Sequence, residues 1–153
     1  IATAGVYDEE MAFRVKLHRE RRPKDWHTWE APENAHLAIE EAGKAHDMIL
    51  FDCLTLYISN LLCALENVRD SAANYELIRE KISLLLEAAK EQDGTTIFVT
   101  NEVGAGIVPE NHLAREYRDI TGIANQLTAR AADEVYVVSC GIAVDFKKLA
   151  VSW

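Results

Sequence analysis

Three short, largely apolar runs constrain the fold of this chain more than any other feature. Met48-Ile49-Leu50-Phe51 stops abruptly at Asp52, and the run over residues 95–100 (T-T-I-F-V-T) stops at Asn101-Glu102. Residues 134–139 (E-V-Y-V-V-S) form a third run of the same kind. Apolar runs of this length without polar alternation predict strands that are covered on both faces, as in a parallel sheet.

The stretches between these runs have helical spacing and suitable boundary residues. Asp8 is a good N-cap for a helix that must stop before Pro23. We predict helices over residues 8–22, 33–44, 54–66, 73–92 and 111–132, and a short strand over residues 26–30. Strands that alternate with helices predict an α/β fold with a mainly parallel sheet flanked by helices, in one domain over residues 1–153.

The carboxyl ends of the predicted strands are the expected ligand edge, because open α/β sheets bind ligands there. The chain itself opens on what reads as the end of a strand followed by a turn. The residues at these ends are Ala2-Thr3-Ala4, Asp52, Asn101-Glu102 and Cys140-Gly141.

Charge and cysteine content exclude several classes of protein. The net charge is −9, so a phosphate backbone would be repelled over most of the surface, and we expect no nucleic-acid partner. Cys53, Cys63 and Cys140 are odd in number and form no C-x-x-C pair, which argues against a disulfide framework or a zinc site. We therefore expect a reducing, cytoplasmic location, and no apolar run is long enough to predict a membrane span.

Positive charge is concentrated around one histidine. Between Arg14 and Lys24 there are six Arg or Lys residues and one acid, Glu20, and His18 lies among them. An imidazole can attack phosphorus, and guanidinium groups would stabilise a departing pyrophosphate. The alternative interpretation is a helix whose last turn carries basic residues that complement its dipole.

Asp52 is the candidate metal ligand. A carboxylate fixed at the end of a buried strand can hold Mg²⁺ through its water shell beside phosphate oxygens. The alternative is an N-cap for the helix that begins near Leu54, and the two roles are compatible.

Two further features carry weaker signals. Glu30 could accept a hydrogen bond from a guanine edge or a ribose hydroxyl, or could be an exposed acid at a strand end. The loop over residues 100–109 has two glycines, which would let a ligand approach the backbone closely but are equally typical of a flexible turn.

Several stretches together resemble one family. They are Asp52-Cys53-Leu54-Thr55-Leu56, Val99-Thr100-Asn101-Glu102-Val103-Gly104, Gly106-Ile107-Val108-Pro109-Glu110-Asn111 and Arg118-Asp119…Gly122…Asn125-Gln126. They resemble the bifunctional adenosylcobinamide kinase / adenosylcobinamide-phosphate guanylyltransferase family, and the similarity extends over nearly the whole chain.

The resemblance implies a fold and two reactions. The fold would be a P-loop, RecA-like sheet, assembled as a homotrimer. The enzyme would phosphorylate adenosylcobinamide with ATP or GTP, and would then transfer GMP from GTP to that phosphate through a guanylylated histidine. The matching histidine is His18. Family GTP contacts match Ala2, Thr3, Ala4, Arg19, Glu20, Arg21, Arg22, Glu30 and Asp52, the last of these with Mg²⁺.

The resemblance also implies a difference from the family pattern. The family begins with a strand, a G-x-x-x-x-G-K-S phosphate loop and a helix, and none of these is present in the sequence. We therefore expect the first strand and the P-loop to be absent from this chain. Two alternative functions follow: a simple P-loop kinase of a small alcohol, with a structural His18, and a non-catalytic, truncated interaction module.

Overall fold

A computed structural model describes residues 1–65 and 71–151 and shows a mixed α/β fold. Strands β1 (Met48–Asp52) and β2 (Thr95–Val99) pair in parallel, with Met48 opposite Thr95 and Asp52 opposite Val99. The first two predicted strands and their parallel relation are therefore confirmed. The prediction that the second strand is covered on both faces is wrong, because no residue of β2 is buried and Ile97 is 43% exposed. Both strands point their carboxyl ends to the same edge, where Asp52 lies.

The first residues of the chain extend this sheet beyond β1. Thr3 N–H donates to Asp52 O at 3.1 Å, and Asp52 N–H donates to Ile1 O at 3.0 Å. On the other side, Ala2 N–H donates to Trp29 O and Ala31 N–H donates to Ala2 O, both at 2.8 Å. These parallel bridges link Ala2 to both Asp52 and Glu30. Residues 1–3 thus lie between β1 and the segment that contains Glu30.

Six helices occur in the described residues, and the predicted ones are confirmed within a few positions. The last residue of the predicted helix 54–66 lies outside the described residues. The helices are α1 (Glu9–Arg21), α2 (Ala35–Gly43), α3 (Leu54–Cys63), α4 (Ser71–Lys90), α5 (His112–Ala131) and α6 (Phe146–Leu149), with a short 3₁₀ turn at Val103–Ala105. Helix α1 begins as its sequence predicts, because the Asp8 carboxylate accepts from Met11 N–H at 2.7 Å.

The hydrophobic core lies around β1, α2, α3, α4 and α5. Phe51 of β1 is fully buried, and its ring contacts the rings of Tyr57 and Phe98 at centroid distances of 5.9 and 5.1 Å. Helix α2 packs on α4, α4 packs on α5, and α3 packs on α5. Burial of apolar side chains from four helices holds β1, and with it Asp52, in a fixed position.

The prediction of a third buried, parallel strand is wrong. Strand β3 (Tyr136–Ser139) pairs with β4 (Ile142–Asp145) in an antiparallel hairpin, and its Val138 is 65% exposed. Cys140 and Gly141 form the two-residue turn, with φ of 53° and 78°. Positive φ at both positions is the hairpin geometry that matches the twist of the strands. Cys140-Gly141 therefore forms a turn rather than a ligand edge of the parallel sheet.

The short strand predicted over residues 26–30 is also wrong for most of its length. Only Glu30 forms a bridge, with Ala2, and Trp26 N–H instead donates to Pro23 O in a turn. The turn at Pro23 ends α1. Strand pairing in this segment begins only at Glu30, which lies beside Ala2.

No helix in the part of the chain that the structure describes is both long enough and apolar enough to cross a membrane.

Candidate nucleotide site

The Thr3 side chain joins the first residues of the chain to the end of β1. Thr3 is fully buried, and its hydroxyl donates to Cys53 O and accepts from Cys53 N–H, both at 2.8 Å. Asn60 of α3 donates through Nδ2 to Thr3 O at 2.7 Å and to Pro32 O at 3.1 Å. These neutral hydrogen bonds fix the backbone on both sides of Asp52.

The Asp52 carboxylate forms no hydrogen bond or ion pair with the described residues. Cys53, and not Asp52, is the N-cap residue of α3, and no side chain makes the capping hydrogen bond there. The alternative role predicted for Asp52 as a helix cap is therefore wrong. Asp52 is half-buried, and within residues 1–65 and 71–151 its carboxylate has no hydrogen-bond or ion-pair partner. It is available to bind something that is not part of the chain.

Polar side chains also converge at the end of β2. Asn125 of α5 accepts from the Thr100 hydroxyl at 2.6 Å, and its Nδ2 donates to Asn101 O at 3.1 Å and to Glu102 Oε1 at 3.0 Å. Asn101 in turn donates through Nδ2 to the Thr55 hydroxyl at 3.1 Å. The end of β2 is thereby joined to the start of α3, beside Asp52.

The glycine-bearing loop after β2 is held by two arginines of α5. Arg118 donates to Gly104 O at 2.6 Å, and Arg115 donates to the carbonyls of Pro109 and Glu110 at 3.1 and 2.5 Å. The tip of this loop is nevertheless in solvent, and Ile107 is 96% exposed. The loop is therefore fixed at both ends and presents an apolar tip.

Helix α1 is attached to the molecule in a different way. None of its thirteen residues is buried, and His18 lies exposed in its last turn together with Arg19 and Arg21. Its attachments are on the surface: Arg19 forms an ion pair with Glu30, and Arg22 donates to the Thr28 hydroxyl at 3.2 Å. Two residues predicted to contact GTP, Arg19 and Glu30, thus bind each other in the free protein.

The other basic residues of this segment differ in their partners. Arg14 pairs with Glu10 at 2.6 Å, and Lys16 lies 3.9 Å from Glu20 on the same helix. Among the described residues, the Arg21 side chain has neither an ion-pair nor a hydrogen-bond partner. Arg21 therefore remains available to an anion without breaking an existing contact.

A groove of about 430 Å³ lies along one side of α1. Its size is in the range of small-molecule sites. The residues that line it are Val6, Ala12, Val15, Lys16, Arg19 and Glu20.

The structure thus connects the predicted site residues through backbone pairing. Ala2, Glu30 and Asp52 lie on neighbouring parallel segments, and the Arg19 ion pair links α1 to Glu30. Among the described residues, no three metal-binding side chains lie together. Asp52 is the residue that the sequence predicts as the Mg²⁺ ligand. Sequence reasoning missed Asn60, which lies in a helix that also contains the polar residues Thr55 and Ser59 and so gives no distinctive signal.

These features belong to a mixed α/β fold with polar groups at the carboxyl edge of its parallel strands, and comparison with known proteins specifies the family. The profile of the family described as "Cobinamide kinase / cobinamide phosphate guanyltransferase" matches residues 1–146. The chain belongs to this family of bifunctional kinases and guanylyltransferases. The two alternatives, a simple small-molecule kinase and a non-catalytic module, are accordingly set aside.

Three curated relatives agree with this assignment. The bifunctional adenosylcobalamin biosynthesis protein CobU of Salmonella typhimurium is 42% identical over 152 residues, which cover 96% of this chain and 84% of that protein. The protein of the same name from Escherichia coli is 38% identical, with the same coverage. The bifunctional adenosylcobalamin biosynthesis protein CobP of Pseudomonas aeruginosa is 36% identical, over 96% of this chain and 80% of its own length.

Proposed function

We propose that this protein phosphorylates adenosylcobinamide with ATP or GTP and then transfers GMP from GTP to the product through a guanylylated His18, giving adenosylcobinamide-GDP. The observation that carries the proposal is the position of His18. Its ring is exposed in the most basic turn of the chain, and this turn is tied to the sheet edge by the Arg19–Glu30 ion pair.

In the guanylylation step, a ring nitrogen of His18 attacks the α-phosphorus of GTP. The new P–N bond forms as the bond from that phosphorus to the bridging oxygen breaks, and pyrophosphate leaves with the electron pair. The phosphate oxygen of adenosylcobinamide phosphate then attacks the same phosphorus. The P–N bond breaks, and His18 is regenerated.

Arg19, Arg21 and Arg22 would stabilise the negative charge that develops on pyrophosphate. Their planar guanidinium groups can bind two phosphate oxygens at once. Arg21 has no partner among the described residues, whereas Arg19 must exchange Glu30 for phosphate. That exchange would release Glu30 to accept from the guanine edge or the ribose. Glu20, which faces the groove along α1, is the second carboxylate that we assign to nucleotide binding.

The first residues of the chain would contribute mainly through their backbone. Both backbone polar groups of Ala2 pair with neighbouring segments, and the Thr3 hydroxyl is fully occupied by Cys53. Within the described part of the chain, the N–H and C=O of Ala4 have no partner. We therefore assign direct nucleotide contact to Ala4, and positioning of the site to Ala2 and Thr3.

Asp52 fits the role of a Mg²⁺ ligand, because its half-buried carboxylate forms no hydrogen bond or ion pair with residues 1–65 and 71–151. Mg²⁺ is usually held by one or two carboxylates together with phosphate oxygens and water. When bound, the ion would neutralise charge on the phosphates. Asp52 would orient that ion through its waters from a rigid strand end.

We further propose a P-loop NTPase type of sheet, a homotrimeric assembly and a cytoplasmic location. The parallel arrangement of β1 and β2, with functional groups at their carboxyl edge, supports the first. Apolar side chains that remain exposed near α1, Val6, Tyr7 and Phe13, support an assembly that would cover them.

The test is covalent labelling of the full-length protein with GTP that carries the label on the α-phosphate, in the presence of Mg²⁺. We expect a label that is labile in acid and stable in alkali, as a phosphoramidate is, and that is absent from His18→Ala. His112→Ala removes another exposed histidine and should label normally. Label retained in His18→Ala would show that another residue is the nucleophile.

A further inference from the structure

The Glu102 carboxylate is fixed in orientation but remains free to react. Its Oε1 accepts from Asn125 Nδ2 at 3.0 Å, while the side chain stays exposed. Across residues 1–65 and 71–151, no cation pairs with it. Arg118, the arginine that holds the following loop, donates to Gly104 O instead.

The amide that holds Glu102 is itself oriented by two other contacts. The Thr100 hydroxyl donates to Asn125 Oδ1 at 2.6 Å, and Asn125 Nδ2 also donates to Asn101 O at 3.1 Å. The amide group therefore cannot turn over without losing both bonds. It directs an N–H donor at Glu102 Oε1 and so fixes the orientation of the carboxylate.

Glu102 lies at the same sheet edge as Asp52. Asp52 is opposite Val99, the last residue of β2, and Glu102 follows three residues later. The bond from Asn101 to the Thr55 hydroxyl keeps this turn against the start of α3, directly after Asp52. Two carboxylates on neighbouring strand ends, each without a cation partner, can therefore serve different roles at one phosphate group.

We infer that Glu102 is the general base of the phosphoryl transfer step. It accepts the proton of the attacking substrate hydroxyl as that oxygen bonds to the γ-phosphorus of the nucleotide. The bond from this phosphorus to its bridging oxygen breaks, and the nucleoside diphosphate leaves with the electron pair. This inference rests on the proposed function, but it concerns the kinase step alone, since the attack by His18 is a separate step at a different phosphorus.

The test compares the two reactions in Glu102→Gln. We expect the kinase kcat to fall by about 10²- to 10⁴-fold, the usual range for loss of a general base. Labelling of His18 by α-labelled GTP should continue at the normal rate, which separates this inference from the proposed function. Glu102→Asp should recover part of the kinase activity, and Glu110→Gln, a change at an exposed acid of the same loop, is the matched control.

Asn125→Ala tests the positioning of the base. Loss of the N–H donor leaves the carboxylate free to turn, so the kinase kcat should fall while the substrate KM and the labelling of His18 stay unchanged. Equal loss of the kinase reaction and of His18 labelling would indicate a role for Asn125 that is only structural and would contradict its positioning role. Glu102→Gln with kinase activity within about threefold of the original, or with equal loss of both reactions, would overturn the assignment of the base.

Discussion

The sheet edge and helix α1 are built from different interactions. At the sheet edge, neutral hydroxyl and amide groups hydrogen-bond around Asp52, and the central one, Thr3, is fully buried. Helix α1 has no fully buried residue, and its contacts with the rest of the molecule include the exposed Arg19–Glu30 ion pair and half-buried apolar side chains such as Val15 and Leu17. Burial makes the first set costly to disturb, whereas exposed ion pairs contribute only about 0–1 kcal/mol each.

Because of this difference, we assign the two proposed reactions to different regions of the molecule. Phosphoryl transfer requires fixed geometry, because its catalysis depends on positioning and electrostatic stabilisation. A histidine that takes up GMP and delivers it to a second substrate must instead be reachable from two directions. The rigid edge suits the kinase reaction, and the weakly attached helix suits the guanylyltransferase reaction.

Among the variants that compare the sheet edge with α1, the largest effect should follow Asp52→Asn. We expect both reactions to slow by roughly 10- to 100-fold at a given Mg²⁺ concentration, as is typical when a metal site is weakened. The free energy of unfolding should hardly change, because none of the described residues forms a hydrogen bond or an ion pair with this carboxylate. A Mg²⁺ titration of both rates is the measurement, and Asp47→Asn, at the opposite end of β1, is the control. Unchanged Mg²⁺ dependence would contradict a metal role.

Thr3→Val should have the next largest effect, and it should act on stability. The variant keeps the shape of the side chain but leaves the Cys53 N–H without its partner, while the Cys53 C=O still accepts from Tyr57 N–H. A buried polar group without a partner costs about 1–3 kcal/mol, which denaturant unfolding would measure. Thr3→Ser retains the hydroxyl and should be much closer to the original protein. Equal stability of Thr3→Val and Thr3→Ser would show that the Thr3 hydroxyl does not hold the first residues of the chain to the end of β1.

The smallest effect should follow Glu30→Gln. Because its ion pair with Arg19 is exposed, the free energy of unfolding should change by less than about 1 kcal/mol. Guanylylation should nevertheless require several-fold more GTP if Glu30 accepts from the nucleoside, while phosphorylation with ATP should be unaffected. Glu10→Gln breaks the comparable pair with Arg14 and is the control. A large loss of stability would show that α1 is attached more firmly than its contacts indicate.

The strand ends were predictable from sequence, and their supporting contacts were not. The break from an apolar run to Asp52 locates a strand end directly, and Asp8 and Pro23 bound α1 for local reasons. The partners of Asn125 lie 23 to 25 residues earlier in the chain, so no local pattern reveals them. The β3–β4 hairpin was missed because its strand resembles the buried runs, and only the positive φ at Cys140-Gly141 distinguishes it.

The absence of buried residues in α1 has a thermal consequence. Unfolding changes heat capacity chiefly because apolar surface becomes hydrated, and detaching this helix would hydrate the half-buried side chains Met11, Val15 and Leu17 but no fully buried one. The balance between attached and detached forms of α1 should therefore follow a van't Hoff plot that is less curved than the stability profile of the core. Cooling or warming would then alter access to His18 gradually, over a range in which the sheet beneath it stays intact.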